Sequence, residues 1–299
     1  MSVRFGVLFP FVDGLVNSGP FLRRFLATVE DCGADSVWAV EHVIVADDYQ
    51  PRYPYSADGR MPSAPGVTPM PDPLELLAFA AGVTDRLLLC TGVVVAPLHS
   101  PVLLAKRVAT VDALSGGRMV LGLGIGWQRE EYDALGAPFT DRGARLEEGI
   151  GAMRALWAGG PATFHGRFTA FDRVHLSPGP ERGSVPIVLG GNSAPAVERA
   201  ARVADGWLPY TLGPEEFAAG AERLRAATVA AGRPADAVEI TAWPGSADYR
   251  RELEVDWVRG YLDGGASRLL INPRIRTPDQ LDSLADQLIR YRTEVLERL

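Results

Sequence analysis

Short apolar runs alternate along the chain with longer segments in which apolar side chains recur at helical spacing. Residues 3–9 read as a strand and 21–32 as an amphipathic helix; 36–40 is the next strand, and 73–84 has the proline-first start of a helix. Residues 87–95 and 119–122 read as two more strands, separated by a helix over 101–114 whose end is marked by Ser115, Gly116 and Gly117. Strands are predicted again at 187–189, 206–209, 238–242 and 267–271, each followed by a helical pattern, the last over 277–299.

Alternating strands and helices imply a parallel sheet, because every crossover must return the chain to the same end of the sheet. Eight such units in 299 residues match the size of a closed (β/α)8 TIM barrel, which is preferred to a doubly wound open sheet. A single α/β barrel domain over 1–299 is therefore expected, since no internal repeat, low-complexity tract or linker interrupts the rhythm. Two intervals are too long for bare connections: 43–72 after strand 2, and 126–185 after strand 4, which contains a predicted hairpin around 164–176. Loops that follow strands lie at the C-terminal mouth of such a barrel, so both insertions are expected to roof the site.

Composition narrows the function classes. The chain is 47% hydrophobic and 22% charged, far from the polarity of a disordered protein. Thirty basic against thirty-seven acidic side chains leave a net charge of −7, which disfavours nucleic acid or anionic lipid as a partner. The longest apolar stretch, 87–96, is well short of the ~20 residues needed to cross a bilayer, and 1–10 lacks the features of a secretory leader. A soluble, cytoplasmic protein with a small-molecule substrate is expected. Cys32 and Cys90 lie in apolar surroundings without metal-ligand spacing, and read as ordinary buried thiols.

Four groups of residues could carry chemistry. Glu41-His42 sits at the end of the second strand, where an imidazole can accept or donate a proton near neutral pH, or simply bond the backbone. Gly122, Gly124 and Gly126 alternate as G-x-G-x-G at the end of the fourth strand, unlike the G-x-G-x-x-G of a dinucleotide loop. Such a stripe either lets a planar cofactor approach or relieves crowding where the barrel closes. Gly190, Gly191, Asn192 and Ser193 precede a helix and form a candidate phosphate site on its first free N–H groups, or a plain N-cap. Gly92, inside the apolar run Thr91-Gly92-Val93, marks a bulge, a close ligand approach or an unusual peptide bond. No metal site is expected, because no spacing brings several imidazoles or carboxylates together.

Together these segments resemble the luciferase-like monooxygenase superfamily over nearly the whole chain, most closely its branch of F420-dependent oxidoreductases. The most specific stretch is TGVVVAPLHSPVLLAKRVATVDALSGGRMVLGLGIGW, Thr91 to Trp127, continued by EEYDALGAPFTDRG from Glu130 to Gly143. The strand-end Glu41-His42, PIVLGGNS from Pro186 to Ser193 and ADGW from Ala204 to Trp207 add to it. The resemblance implies a hydride-transferring oxidoreductase using the deazaflavin coenzyme F420 on a small organic substrate. Its alternative is an FMN-dependent monooxygenase fed with reduced flavin by a separate reductase. It implies a cis peptide between Gly92 and Val93 behind the ring, and a phosphate loop at Gly190 to Ser193. Glu41, Thr91, Gly92, Val93, Gly124 and Trp127 would line the cofactor, His42 would be the catalytic acid or base, and two copies would pair through the early helices. One departure stands out: sugar-phosphate-oxidising relatives carry an acidic glutamate where this chain has Trp127. Glu130 and Glu131 lie nearby but shifted along the loop; they read as structural, and neither is assigned as the acid.

Overall fold

A computed structural model describes residues 3–12, 14–61 and 68–299. Eight parallel strands close on themselves: β1 (Arg4–Leu8), β2 (Ser36–Ala39), β3 (Leu88–Thr91), β4 (Met119–Gly124), β5 (Ile187–Gly190), β6 (Gly206–Leu208), β7 (Glu239–Ala242) and β8 (Arg268–Ile271). Each pairs with its sequence neighbours, and β8 returns to β1 through Arg4↔Arg268 and Val7↔Ile271. The expected TIM barrel is the observed fold. Eight helices surround it: α1 (Gly19–Asp31), α2 (Pro73–Ala81), α3 (Pro101–Ser115), α4 (Arg142–Trp157), α5 (Ala194–Val203), α6 (Pro214–Ala230), α7 (Val255–Asp263) and α8 (Leu281–Arg290). Among the described residues no helix is long and apolar enough to cross a membrane.

Local chemistry sets the helix boundaries. Asp72 accepts from the Leu74 and Glu75 amides with Pro73 in the first turn, so α2 starts there. Gly116, at φ 67°, takes the left-handed position that stops α3. The segment predicted as one helix over 277–299 breaks up instead: a 3-10 turn precedes α8, and a π turn over Tyr291–Val295 follows it. Period alone does not register such changes of winding.

Alternation along the strands divides the core. Phe5, Val7, Val37 and Leu89 face the helices, whereas Leu8, Trp38, Cys90, Val120, Val188, Leu208 and Leu270 fill the barrel. Both cysteines are free and buried, and burial holds the Cys90 thiol protonated. At the N-terminal floor, Arg268 is clamped by Asp35 at 2.8 Å and Glu239 at 3.2 Å, beside a polar cavity of about 230 Å3.

The predicted third strand is not continuous. β3 meets β4 with an offset of 30 residues at Leu89↔Met119, but 29 at Val94↔Leu123, so one extra residue is absorbed between them. It is absorbed at Gly92–Val93, where the peptide bond is cis. The alternating glycines of β4 receive this bulge. A Cβ on Gly122 would run into the Thr91 carbonyl, and one on Gly124 would lie 2.7 Å from a Val93 methyl. Crowding at the bulge thus accounts for the stripe without a ligand.

Outside the barrel wall, Glu252 is fully buried beside Tyr291, with Arg274 4.0 Å away. One carboxylate oxygen accepts from the Asn272 amide at 2.9 Å and its side chain at 3.2 Å; the other meets no donor among the described residues. Burial pushes this carboxyl from its ordinary 4.5 up to about 7, against the opposing pull of Asn272 and Arg274. The native state therefore holds a proton that the unfolded chain releases, and stability falls as pH rises from about 4.5 to 7, by on the order of 3 kcal/mol.

Two outcomes follow for thermal unfolding. Glu252→Gln keeps an acceptor for Asn272 and removes the charge, so it should raise the melting temperature by several degrees at pH 8 and by much less at pH 5. Gly122→Ala should cost about 3 kcal/mol or more, because a backbone carbonyl rather than a flexible side chain stands in the way. A variant melting with the wild type would show that β4 does not carry the bulge.

Candidate functional site

Thr91 staples the bulge from below. Its hydroxyl donates to the Gly122 carbonyl at 2.7 Å and accepts from the Gly122 amide at 2.8 Å, and the residue is fully buried. Thr91 and Gly124, both expected to line a cofactor, are thereby taken up by the protein itself and shape the bulge from behind. Gly92 and Val93 are partly exposed and form its surface.

Adjacent in sequence, Glu41 and His42 turn to different partners. The buried Glu41 carboxylate accepts from the Val95 amide at 2.6 Å and from His99 Nε2 at 3.0 Å. It locks the chain just beyond the bulge and so acts as a brace there. His42 instead places Nδ1 3.1 Å from Glu131, a carboxylate with no exposed surface, on the short helix Arg129–Ala134 that follows β4. The second Glu131 oxygen accepts from the Val43 and Ile44 amides at 2.7 and 3.4 Å. Sequence reasoning set Glu131 aside as structural. Nothing in its neighbourhood announces a partner 89 residues away.

Above His42 the mouth is aromatic. Trp127 lies with its ring centroid 5.9 Å from His42, 5.0 Å from Tyr49 and 5.2 Å from Tyr53, all edge-on. Tyr53 continues to Tyr55 at 5.4 Å, Tyr55 to Tyr210 at 4.8 Å, and Tyr210 to Trp243 at 5.0 Å. Burial pushes the Tyr53 and Tyr55 phenols up, so both stay protonated. The first insertion thus roofs the mouth as expected, although residues 62–67 lie outside the described part of it. The second behaves differently. Its hairpin, Ala162–His165 with Ala170–Val174, has its tip held to α4 by Glu148, which accepts from the Arg167, Phe168 and Thr169 amides. The tip also lines a cavity of about 420 Å3 with Ala96 and His99, while the start of the insertion carries Trp127 to His42.

The corner after β5 divides its labour. Gly191 takes φ 110°, and its carbonyl accepts from Trp207 Nε1 at 2.9 Å. Asn192 spends its side chain on the Tyr210 backbone, donating to the carbonyl at 2.6 Å and accepting from the amide at 3.1 Å. Its side chain is therefore a strap between the ends of β5 and β6, with one amide hydrogen committed to the Tyr210 carbonyl. Ser193 caps α5 with no side-chain bond of its own and is exposed. Gly190 leaves space for Val93, whose methyl would lie 3.3 Å from a Cβ there.

These features fit a flat ring with hydrogen-bond acceptors and an anionic tail. Trp127 and Trp243 each bury an indole N–H that meets no acceptor among the described residues, a costly arrangement that a ring carbonyl would relieve. The N-terminus of α5, with Ser193 at its cap, offers an open place for an anion on the same side of the barrel.

Known proteins share this architecture. An uncharacterised protein of Mycobacterium tuberculosis is 30% identical over 247 residues, 82% of each chain. The coenzyme F420-dependent tetrahydromethanopterin reductase of Methanopyrus kandleri superposes with a TM-score of 0.74 at 16% identity, covering 100% of this chain and 99% of that one. The monooxygenase RslO1 of Streptomyces bottropensis gives 0.72 at 22% identity, covering 97% and 98%. Residues 3–252 match the family described as luciferase-like monooxygenase, and this chain, with its broken third strand and aromatic mouth, belongs to that family of oxidoreductases.

Proposed function

We propose that this protein transfers a hydride between coenzyme F420 and a small organic substrate. The observation that carries the reading is His42, an oriented proton-active side chain set among neutral rings. Glu41 and Glu131, the buried carboxylates nearest it, already have hydrogen-bonding partners. When bound, the deazaflavin supplies a carbon centre that accepts or gives hydride and reacts poorly with oxygen. The chain supplies the rest: indole donors at Trp127 and Trp243, an anion place at Ser193, a Gly92–Val93 platform, and water exclusion by Tyr49, Tyr53 and Tyr55. His42 would take or give the proton that accompanies the hydride.

The family's monooxygenases support a second reading, in which reduced FMN from a separate reductase takes the same place. We further propose a homodimer through α3, which leaves Val102, Leu103 and Leu114 exposed at 39, 60 and 66%.

Titrating the protein with F420 and with FMN, followed by tryptophan fluorescence, tests the first reading directly. F420 should bind at micromolar concentration and quench through Trp127 and Trp243; binding of neither cofactor overturns both readings. Tight FMN binding with oxygen consumption favours the second. With reduced F420 and cyclohex-2-en-1-one as a probe acceptor, His42→Ala should lower kcat about 10²–10⁴-fold and leave the cofactor Kd within roughly threefold.

A further inference from the structure

We infer that Glu131 is a positioning residue that fixes the tautomer of His42, placing the proton on Nδ1 and leaving Nε2 as the acceptor. The catalytic consequence rests on the function proposed above; the tautomer does not.

An ionised carboxylate can only accept hydrogen bonds. Glu131 Oε2 lies 3.1 Å from His42 Nδ1, so the imidazole must carry its hydrogen on that nitrogen. Neutral imidazole has one N–H, and Nε2 is then the lone-pair nitrogen. The ring cannot easily reverse its roles, because Trp127 packs edge-on at 5.9 Å and Glu131 has no exposed surface into which to turn.

Glu131 is itself held from the other side. Oε1 accepts from the Val43 amide at 2.7 Å and from that of Ile44 at 3.4 Å. Both donors belong to the backbone immediately after His42, at the base of the first insertion. One side chain therefore joins the imidazole and the chain that leaves it, and both of its oxygens must be acceptors. Glutamine has the right shape but only one acceptor. Facing two fixed backbone donors, its carbonyl must stay on Val43 and Ile44, so its NH2 is presented to His42. Nδ1 is then forced to accept, and the hydrogen moves to Nε2. Glu131→Gln would thus keep the packing while inverting the tautomer, the kind of change that costs about 10⁴-fold in a histidine-dependent hydrolase.

The test is a long-range ¹H–¹⁵N spectrum of the full protein labelled at histidine, recorded at pH 8. The chain has only four histidines, so His42→Gln assigns the signal. The wild type should show a protonated Nδ1 and a pyridine-like Nε2 at His42. Glu131→Gln should show the reverse, and Glu131→Asp should restore the wild-type pattern. A wild-type His42 protonated on Nε2, or an unchanged tautomer in Glu131→Gln, overturns the inference; the wild-type spectrum alone can do so if the variants fail to fold. In the oxidising direction, with oxidised F420 and cyclohexanol as a probe whose C–H hydride goes to the cofactor and whose hydroxyl proton goes to Nε2, Glu131→Gln should lower kcat about 10²–10⁴-fold with cofactor Kd within roughly threefold, and adding His42→Ala should cost little more. An inverted tautomer with unchanged kcat overturns the catalytic role. Failure to bind either cofactor would count against the proposed function, while the spectrum would still decide the tautomer.

Discussion

One extra residue in the third barrel strand governs everything at the mouth. A parallel ladder has no slack, so the residue absorbed at Gly92–Val93 must be accommodated by neighbours on either side. The accommodation is distributed. Gly122 and Gly124 yield space on β4, Gly190 yields it on β5, Thr91 pins the near end through two hydrogen bonds, and Glu41 pins the far end at Val95. Glu41 and the pairing of Val94 and Val95 with β4 together hold the chain as it leaves the bulge toward His99. The placement of His42 follows, because it is the next residue along and its neighbour's side chain is already committed. The bulge and the candidate proton-transfer group are thus consequences of the same few contacts.

The contrast between the two ends of the barrel has an electrostatic logic. The floor carries fixed charge: Arg268 is buried between Asp35 and Glu239, and Arg4 adds a further contact to Glu239 at 2.6 Å. Nothing there needs to move, and interlocked charge suits a closed base. Among the described residues the buried carboxylates near His42 are Glu41 and Glu131, each bonded by backbone amides as well as by a histidine. Around them stand the rings of Trp127, Tyr49 and Tyr53, with the exposed Arg60 guanidinium 5.8 Å from the Tyr49 ring. Glu252 shows the cost of the alternative. With one oxygen unpartnered behind the barrel wall, it holds a proton to about 7 and makes stability depend on pH.

Much of the architecture was legible in the chain because it rests on periodicity. The eight strands appear where alternating runs place them, within a few residues of each predicted boundary, and capping residues such as Asp72 and Gly116 fall where local chemistry requires. What period could not show was the break in β3: a run as uniformly apolar as 87–95 looks continuous, and only Gly92 hinted otherwise. The glycine stripe of β4 admitted two readings from spacing alone, and the packing of Val93 decides for crowding. Asn192 and Glu41 were visible as residues but not as partners, since Tyr210 and His99 lie 18 and 58 positions away. Glu131 is the extreme case, because a carboxylate on a short amphipathic helix looks solvated until the fold buries it against His42.

Under the function proposed above, that last pairing bears on how the barrel would move a proton and a hydride in one place. Hydride transfer changes the charge of the reacting partners, and in a mouth lined by rings such a change is poorly screened. A proton must therefore move with it, from a group whose own change of charge is already compensated. In the proposed function His42 would meet this requirement, because Glu131 stands against Nδ1 at 3.1 Å, where it would balance an imidazolium, while the backbone amides of Val43 and Ile44 hold that carboxylate in place. A lone histidine among Trp127 and the lid tyrosines would lack that balance. By the inference drawn above the carboxylate would also fix which nitrogen carries the hydrogen, so orientation and charge compensation would come from one side chain. It can serve both because the first insertion begins at the very residue that follows the imidazole.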